Sequence, residues 1–333
     1  VPFINDECDP QTGWADIHTW HARPYYAALV CKVINQHQRK IIEELGCDYA
    51  LLSNDNGFLG TWGQRTHLAR FGNQENLERG EFELIKKPVF NAMVMLSLLG
   101  DTCLSVKGCD DPFANVSVIA TKRGSDQVAV LVYNSRDRIM SSGCERIELC
   151  LNDLPFGDAM LVHYRIDEDH GDPYNLWEEM GAPKKPSAEQ FATMRKNQEL
   201  AVLEGPREVA IRDGRLTLDF DLPLPAVSLI LLSKRPAEAP GKVEQLRGEK
   251  YKGITGNEEV LLSWEGIDSR VIQTYEVLYA ESPEGPFERI NGSDLICTAF
   301  LHVRKTAGGK GYYKIRAVDY WGRFGEESEV HIL

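Results

Sequence analysis

The sequence lacks several features that mark common functional classes. The eight cysteines form no C-x-x-C pair, so they offer no metal-binding or redox framework. No apolar run reaches the ~18 residues that span a bilayer, which argues against a membrane role. A glycine-rich phosphate loop and a G-x-S-x-G elbow are also absent, so nucleotide chemistry and serine hydrolysis have no support.

Basic residues are scarce as well. The chain carries 37 Lys and Arg against 50 Asp and Glu, for a net charge of −13. This balance repels nucleic acid, and no basic stripe interleaved with aromatic residues offsets it. An anionic polysaccharide would also be repelled at neutral pH, unless a local cationic pocket or an acidic compartment compensates. We therefore expect neither a nucleic-acid partner nor a membrane partner, and the sequence leaves the oligomeric state open.

The chain opens on a short apolar run that stops at three acids within four positions. This pattern is typical of the carboxyl end of a buried parallel strand whose last side chains point into an active site. A helix predicted over 24–45, a strand at Tyr49–Leu52 and a helix over 87–99 follow. Two β/α units cannot close a barrel. The sequence therefore predicts that residues 1–100 are the last units of a (β/α)8 TIM barrel that begins upstream.

Residues 101–235 follow a different pattern. Short alternating or apolar runs, divided by turn residues, predict an antiparallel β-sandwich. The runs lie at 116–122, 128–134, 145–151, 160–165, 216–222 and 226–232. An inserted helix is predicted over 187–197, with Ser187 as N-cap and Gln190 at the capping-box position.

A linker that contains Pro and Gly, 234–241, precedes a third part of the chain. Strands are predicted at 260–264, 274–279 and 312–319, with Trp264 in the core and a glycine turn before the last strand. This order matches a fibronectin type III module over 236–333. The predicted fold class is therefore multidomain, α/β followed by all-β.

Glu7 is the strongest candidate for a catalytic residue. At the end of a barrel strand its carboxylate would face the substrate pocket. In a retaining glycosidase one carboxylate attacks the anomeric carbon, and a second, ~5 Å away, serves as acid and then base. The alternative is a surface acid at a strand end. Asp9 either returns through the Pro10 turn to orient Glu7 or caps the loop.

Two further residues are predicted near Glu7. Asp55 follows the next strand, where its carboxylate could accept hydrogen bonds from sugar hydroxyls or close an Asx-turn. Arg65 is either the salt-bridge partner of these acids or a clamp for a substrate carboxylate. Gly13 and Trp14 either bring backbone N–H groups to an anion or form a turn with a packed indole.

Other polar residues have weaker functional interpretations. His18 and His21 have metal-ligand spacing but no third ligand nearby, so no metal site is predicted. His37 on the apolar face of the first helix is predicted to be structural. Asn115 and Asn291 begin N-x-S sequons, which would be glycosylation sites in a protein of the secretory route.

Taken together, these segments resemble the lysosomal α-L-iduronidases, which belong to a retaining glycoside hydrolase family that also holds β-xylosidases. The resemblance rests on Asn-Asp-Glu-x-Asp-Pro-x-x-Gly-Trp at 5–14, Leu-Leu-Ser-Asn-Asp-Asn-x-Phe-Leu at 51–59 and Gln-Arg-Thr-x-x-Ala-Arg-Phe at 64–71. It continues through Lys-Pro-Val at 87–89, the helix near 188–191 and Arg-Ala-Val-Asp-Tyr-Trp at 316–321. It covers nearly the whole chain.

The resemblance implies a function and roles for individual residues. Glu7 would be the nucleophile, Asp55 and Arg65 would contact the iduronate ring, and Arg65 and the Gly13 backbone would approach its carboxylate. The implied substrates are the non-reducing α-L-iduronosyl ends of dermatan and heparan sulfate, the implied compartment is the lysosome, and no cofactor is implied.

One departure from the family is expected to matter. The family's acid/base glutamate would lie upstream of residue 1, so this chain alone is expected to be inactive. Cys8 stands where the mammalian enzymes have alanine. Two alternatives stay open. One is a β-xylosidase-like glycosidase, against which Arg65 argues because a neutral xylose needs no carboxylate clamp. The other is a non-catalytic carbohydrate-binding or adhesion fragment.

Overall fold

The computed structural model describes residues 1–5, 16–52, 57–139, 141–292, 295–304 and 308–333. The chain divides into two compact units. The first consists of residues 1–70, 85–183 and 193–234, and the second of residues 71–84, 184–192 and 235–333. The predicted domains, 1–100, 101–235 and 236–333, stay a prediction.

The first hundred residues contain both strands and helices, but three strands follow one another where the prediction had one. The elements are β1 Phe3–Asn5, α1 Pro24–Gln36, β2 Tyr49–Leu52, β3 Gly57–Gly60, β4 Thr66–Phe71, α2 Gln74–Glu78, β5 Glu83–Lys86 and α3 Pro88–Ser97. β1 pairs with β2 in parallel, and β3 pairs with β4 in parallel within a sheet of order β3-β4-β5. The predicted strand at Tyr49–Leu52 is confirmed. β3, β4 and β5 lie between the predicted strand at Tyr49–Leu52 and the predicted helix over 87–99, where the sequence predicts no strand.

The first predicted helix changes its hydrogen-bonding pattern partway along. α1 has Pro24 in its first turn, where the fixed φ of proline suits a helix start. The prediction of one helix over 24–45 is confirmed only to Gln36, because a π-helix covers His37–Glu44. Most of α1 is buried, whereas no described residue of the π-helix is. The change therefore coincides with the point where the helix leaves the core.

The middle of the chain is an antiparallel sandwich. Its strands are β6 Thr102–Cys103, β7 Val116–Arg123, β8 Gln127–Asn134, β9 Cys144–Leu151, β10 Asp158–Ile166, β11 Ala201–Ala210, β12 Leu216–Pro223 and β13 Ala226–Ser233. A sheet of order β11-β10-β13-β8-β7-β6 packs against the pair β12-β9. The six predicted strands are confirmed. β11 escaped prediction because most of its residues are exposed, so it shows no apolar alternation.

β8 and β13 are buried at every position. The sandwich core covers one face of their sheet, and α1 contacts the other. Asn35 of α1 donates to Tyr133 Oη of β8 at 3.0 Å, which satisfies polar groups inside this layer. Burial on both faces explains why these two strands read as continuous apolar runs rather than alternating ones.

Two helices interrupt the sandwich between β10 and β11. They are α4 Pro173–Glu179 and α5 Ala188–Lys196. The predicted capping box of α5 is confirmed: Gln190 N donates to Ser187 Oγ at 3.2 Å, and Ser187 N donates to Gln190 Oε1 at 2.9 Å. Within the described ranges, no helix combines the length and apolarity that a membrane crossing requires.

The C-terminal hundred residues form two further antiparallel sheets. The strands are β14 Glu244–Lys252, β15 Glu258–Glu265, β16 Ile272–Ala280, β17 Glu288–Arg289, β18 Ala299–Arg304, β19 Tyr312–Asp319 and β20 His331–Ile332. The sheet orders are β14-β15-β18 and β17-β16-β19-β20. Trp264, Tyr275, Val277 and Ile315 belong to one core drawn from both sheets. The three predicted strands are confirmed as parts of β15, β16 and β19.

Asn291, one of the two sequon asparagines, ties the segment after β17 to β16 through its side chain. It is 9% exposed. Its Oδ1 accepts from Val277 N at 2.7 Å, and its Nδ2 donates to Tyr275 O and to Gly292 O, both at 2.8 Å. The nitrogen that glycosylation would modify therefore already takes part in the fold. Asn115, in the other sequon, is exposed.

We expect Asn291→Ala to lower the free energy of unfolding by about 2 kcal/mol, because it leaves buried backbone groups of β16 without partners. Denaturant unfolding followed by tryptophan fluorescence measures the change. Asn115→Ala, the matched control in the exposed sequon, should stay within about 0.5 kcal/mol of wild type. Equal stability of the two variants would contradict the structural role of Asn291.

Candidate active site

The predicted site residues divide into two groups. Arg65 lies in the described part of the chain. The others lie outside the described residues: Glu7, Asp9, Gly13, Trp14 and Asp55. Their roles stay predictions, and the structure describes the elements from which their loops begin.

β1 and β2 end side by side. Asn5 pairs with Leu52, and these are the last residues of their strands. The carboxyl ends of neighbouring parallel strands meet at one edge of a sheet, where loops build active sites. Glu7 follows Asn5 by two positions, and Asp55 follows Leu52 by three. The register therefore supports the prediction that the loops carrying these two acids leave the sheet at the same edge.

His37, the first residue of the π-helix, anchors the end of β1. His37 Nδ1 lies 2.9 Å from Val33 O, and its Nε2 lies 3.3 Å from Asn5 Nδ2. The carbonyl can only accept, so we assign the proton to Nδ1 and Nε2 accepts from the Asn5 amide. This contact supports the predicted structural role of His37, and it holds the residue two positions before Glu7.

Arg65 lies in the short loop between β3 and β4 and is 7% exposed. The loop is closed on itself, because Thr61 N donates to Gln64 Oε1 at 2.8 Å. A guanidinium stays charged over the whole pH range of a folded protein. The loop therefore carries a permanent positive charge inside the protein, where charge interactions are stronger than in water.

The side chain of Lys87 donates hydrogen bonds to this loop and to the first residue of β4. Its Nζ donates to Thr61 O at 2.9 Å, to Gln64 O at 2.8 Å and to Thr66 Oγ1 at 2.8 Å. Lys87 is the N-cap residue of α3, directly after β5. Burial lowers the pKa of Lys87 to about 7.

A short turn holds the opposite side of the loop. His18 N and His21 Nδ1 both donate to Gly63 O, at 2.9 and 2.8 Å. A Cβ at position 63 would lie 2.4 Å from Ile17 Cγ2, so this close approach requires glycine. The two histidines considered as metal ligands thus contact the Arg65 loop. Within the described ranges, no group of three His, Cys, Asp or Glu side chains could hold a metal ion.

Aromatic rings complete the support of the loop. Trp62 is 8% exposed, and its ring centroid lies 5.3 Å from that of Tyr174 and 6.1 Å from that of Trp177, both in α4. Arg23 lies over the Tyr174 ring at 4.9 Å and forms an ion pair with Glu178. The inserted helix α4 therefore packs against the loop that carries Arg65.

Asp172 caps the N-terminus of α4 from a buried position. One carboxylate oxygen accepts from Tyr174 N at 3.1 Å and Asn175 N at 3.2 Å. The other oxygen is buried and has no hydrogen-bond partner among the described residues. Burial raises the pKa of Asp172 to about 7, against the opposing effect of the two backbone bonds and of Arg23.

A carboxyl group whose pKa is raised on folding binds its proton more tightly in the folded state. The stability that Asp172 contributes is therefore fully present below the unfolded pKa of ~4 and is lost as the pH rises through 7. We expect Asp172→Asn, which keeps an oxygen for the cap, to raise the melting temperature at pH 7 by several degrees. Near pH 4.5, where most of that stability is still present, the gain should be much smaller.

The matched control for this pH dependence is Asp111→Asn. Asp111 accepts from Phe113 N at 2.9 Å in an exposed turn, so it presents the same kind of contact without burial. The melting temperature of Asp111→Asn should differ from that of wild type by the same small amount at both pH values. Thermal unfolding of the three proteins at both pH values provides the comparison, and an equal effect of Asp172→Asn at both would contradict the assignment.

Sequence reasoning missed the residues that support the loop. The sequence marks Lys87 only as part of a motif shared with the family, and no sequence pattern marks Trp62 or Asp172. The hydrogen bonds of Lys87 join residues 21, 23 and 26 positions apart, which no local pattern reports. A lysine directly before the proline of an apolar helix was the one available signal.

Two family models match the chain. The model of glycosyl hydrolases family 39 matches residues 1–217. The model of the alpha-L-iduronidase C-terminal domain matches residues 252–332.

Curated relatives are similar over nearly the whole chain. The alpha-L-iduronidase of Mus musculus is 35% identical over 350 residues, which cover 99% of this chain and 54% of the relative. The alpha-L-iduronidase of Homo sapiens is 33% identical over 349 residues, covering 99% and 52%. The chain therefore spans about half the length of the curated relatives it matches.

A solved structure is similar as well. It is described as the bacterial orthologue of human α-L-iduronidase, and its sequence is 34% identical. The TM-score is 0.88, and the match covers 100% of this chain and 57% of the other.

Proposed function

The chain belongs to glycosyl hydrolase family 39, and from this premise we propose that the full-length protein is a retaining glycosidase. Its substrate is the non-reducing terminal α-L-iduronic acid of dermatan sulfate and heparan sulfate. The observation that carries the choice of a uronide is Arg65, a buried permanent cation in a loop that Lys87 and His21 bind by hydrogen bonds. A sugar carboxylate is the group that such a cation binds best.

In the proposed mechanism Glu7 attacks the anomeric carbon while an acid protonates the departing glycosidic oxygen. The residue that served as the acid now acts as a base and takes a proton from a water molecule. That water attacks the anomeric carbon and releases Glu7. The configuration of the sugar is retained because both displacements invert it. We assign the acid/base glutamate, by resemblance alone, to a barrel strand that precedes β1.

The remaining site residues bind or orient the sugar in this proposal. Asp55 accepts hydrogen bonds from ring hydroxyls, and the Gly13 backbone approaches the carboxylate beside Arg65. Asp9 and Trp14 support the loop that carries Glu7. No cofactor takes part. The shared strand edge of β1 and β2 supports this arrangement.

The proposed architecture has three parts. The parallel pair β1–β2 and the helices of residues 1–100 support the end of a (β/α)8 barrel. The antiparallel sheets of 101–235 support a β-sandwich domain. The core of Trp264 and Tyr275 between two small sheets supports a fibronectin type III-like domain in 236–333.

We further propose a lysosomal location reached by the secretory route, with Asn115 as the accessible glycosylation site. The net charge of −13 fits an acidic compartment, because exposed carboxylates with pKa values of ~4 lose part of their charge there. A glycosaminoglycan is then repelled less by the protein surface.

The proposal is tested by comparing aryl α-L-iduronide and aryl β-D-xyloside hydrolysis by the full-length protein at pH 4.5. We expect kcat/KM for the iduronide to exceed that for the xyloside at least ~100-fold, since only the iduronide uses Arg65. An equal or higher kcat/KM for the xyloside would favour the β-xylosidase alternative. If the folded protein hydrolyses neither substrate, the result would favour a non-catalytic carbohydrate-binding protein.

A further inference from the structure

Lys87 is a buried cation for which the described residues supply no carboxylate partner. It is 0% exposed. In the part of the chain that the structure describes, its Nζ contacts two backbone carbonyls and one hydroxyl, and no carboxylate. Burying an ammonium group costs several kcal/mol even after the protein relaxes around it, and neutral oxygens recover only part of this.

This cost sets Lys87 apart from an ordinary core residue. A methionine of similar length would fill the same space without the desolvation cost. The neighbouring Lys86 illustrates the usual solution, because its Nζ pairs with both oxygens of Glu199 at 2.8 Å. A charge at position 87 therefore needs a reason other than packing.

The acceptors of Lys87 surround Arg65 in the sequence. Gln64 O belongs to the residue before Arg65, Thr66 Oγ1 to the residue after it, and Thr61 O to the start of the loop. Thr66 Oγ1 in turn donates to Leu68 O at 2.9 Å, so the third contact continues into β4. One ammonium group thus binds the backbone before Arg65 and the side chain of the residue after it.

We propose that Lys87 is the positioning residue for carboxylate recognition, because it fixes the backbone from which Arg65 reaches the substrate. This inference rests on the proposed function. The Lys87 ammonium also adds a second positive charge beneath the loop, and its field favours an anionic sugar over a neutral one.

The protonation of Lys87 agrees with this role. Three acceptors match the three N–H groups of an ammonium, whereas a neutral amine donates only two. With its pKa lowered to about 7, Lys87 is an ammonium throughout the acidic range. The pKa of the nearby His67 is lowered by its burial and by the charge of Lys87.

The experiment uses the full-length protein and two aryl glycosides that differ at one group. The α-L-iduronide carries a carboxylate at C5, and the α-L-idopyranoside carries CH2OH in its place. We expect Lys87→Met to lower kcat/KM for the iduronide about 30-fold, mainly by raising KM, and that for the idopyranoside less than about 3-fold. Lys86→Met, the matched control, should leave both within about 2-fold.

A double-mutant cycle separates positioning from general support. In an Arg65→Gln background, Lys87→Met should lower kcat/KM for the iduronide by less than about 3-fold, because the residue that it positions is gone. Equal losses on both substrates, or fully additive effects in the cycle, would overturn the inference. If Lys87→Met does not fold, Lys87→Gln, which keeps two donors, takes its place in the same cycle.

The failure of the inference can be told from the failure of the proposed function. If wild type does not prefer the iduronide, or Arg65→Gln leaves that preference intact, the proposed function fails and the inference with it. If Arg65→Gln removes the preference but Lys87→Met does not reduce it, only the inference fails.

Discussion

Replacing Glu7 by glutamine in the full-length protein should lower kcat for α-L-iduronide hydrolysis by roughly 10⁴-fold or more. Glutamine has nearly the same shape but cannot attack the anomeric carbon, so the covalent intermediate does not form. Because substrate contacts remain, KM should change little by comparison. Steady-state kinetics at pH 4.5, with the melting temperature measured alongside, provide the values.

Glu208→Gln is the matched control for charge removal, since Glu208 is exposed on β11. It should retain full activity. Chemical rescue distinguishes a lost nucleophile from a damaged fold. Azide added to Glu7→Ala should restore turnover and yield a glycosyl azide of inverted configuration, because the anion attacks from the face that the carboxylate vacated. Near-wild-type turnover by Glu7→Gln would refute the nucleophile assignment.

Replacing Arg65 by glutamine should lower kcat/KM for the α-L-iduronide about 100-fold. A hydrogen bond to a charged group contributes about 1.5–3 kcal/mol, and the guanidinium can make two with one carboxylate. The α-L-idopyranoside offers no carboxylate, so its hydrolysis should fall less than about 5-fold. Arg65→Lys should lie between wild type and Arg65→Gln, because it keeps the charge but loses the bidentate geometry.

The difference between the two substrates is the informative quantity for Arg65. Its side chain is buried, so some loss of stability is expected in any variant and would affect both substrates alike. A loss that is equal for the iduronide and the idopyranoside would assign Arg65 to the fold alone. It would also remove the main reason to prefer a uronide over a neutral xyloside.

The sequence predicted the strands whose residues alternate or are continuously apolar. β8 and β13 could be located because α1 and the sandwich core demand apolar residues on both faces. β11 and β14 could not, since most of their residues face solvent and are held by pairing with β10 and β15. The π-helix at His37–Glu44 also has no local signature, because its bounds follow from where packing ends.

The sequence yields a site hypothesis where residues follow strand ends, and it yields none where the arrangement depends on distant contacts. An apolar run that stops at acids located the loops after β1 and β2, and the parallel register of those strands agrees. The support of Arg65 comes from Lys87, His21 and Trp62, through contacts between residues far apart in the chain. Residue types and spacing do not report which side chains meet across such distances.

The most direct test of the central claim is to trap the glycosyl-enzyme intermediate. A ring-fluorinated α-L-iduronosyl fluoride reacts quickly with the enzyme, and the covalent intermediate that it forms is hydrolysed slowly. The labelled residue can then be found by peptide mass spectrometry of the full-length protein. We predict one added sugar in the tryptic peptide that ends at Lys32, because trypsin does not cleave the Arg23–Pro24 bond, with fragmentation placing the sugar on Glu7. A label on Asp6, Asp9 or Asp55, or a stoichiometric label outside this peptide, would contradict the assignment of Glu7 as the nucleophile.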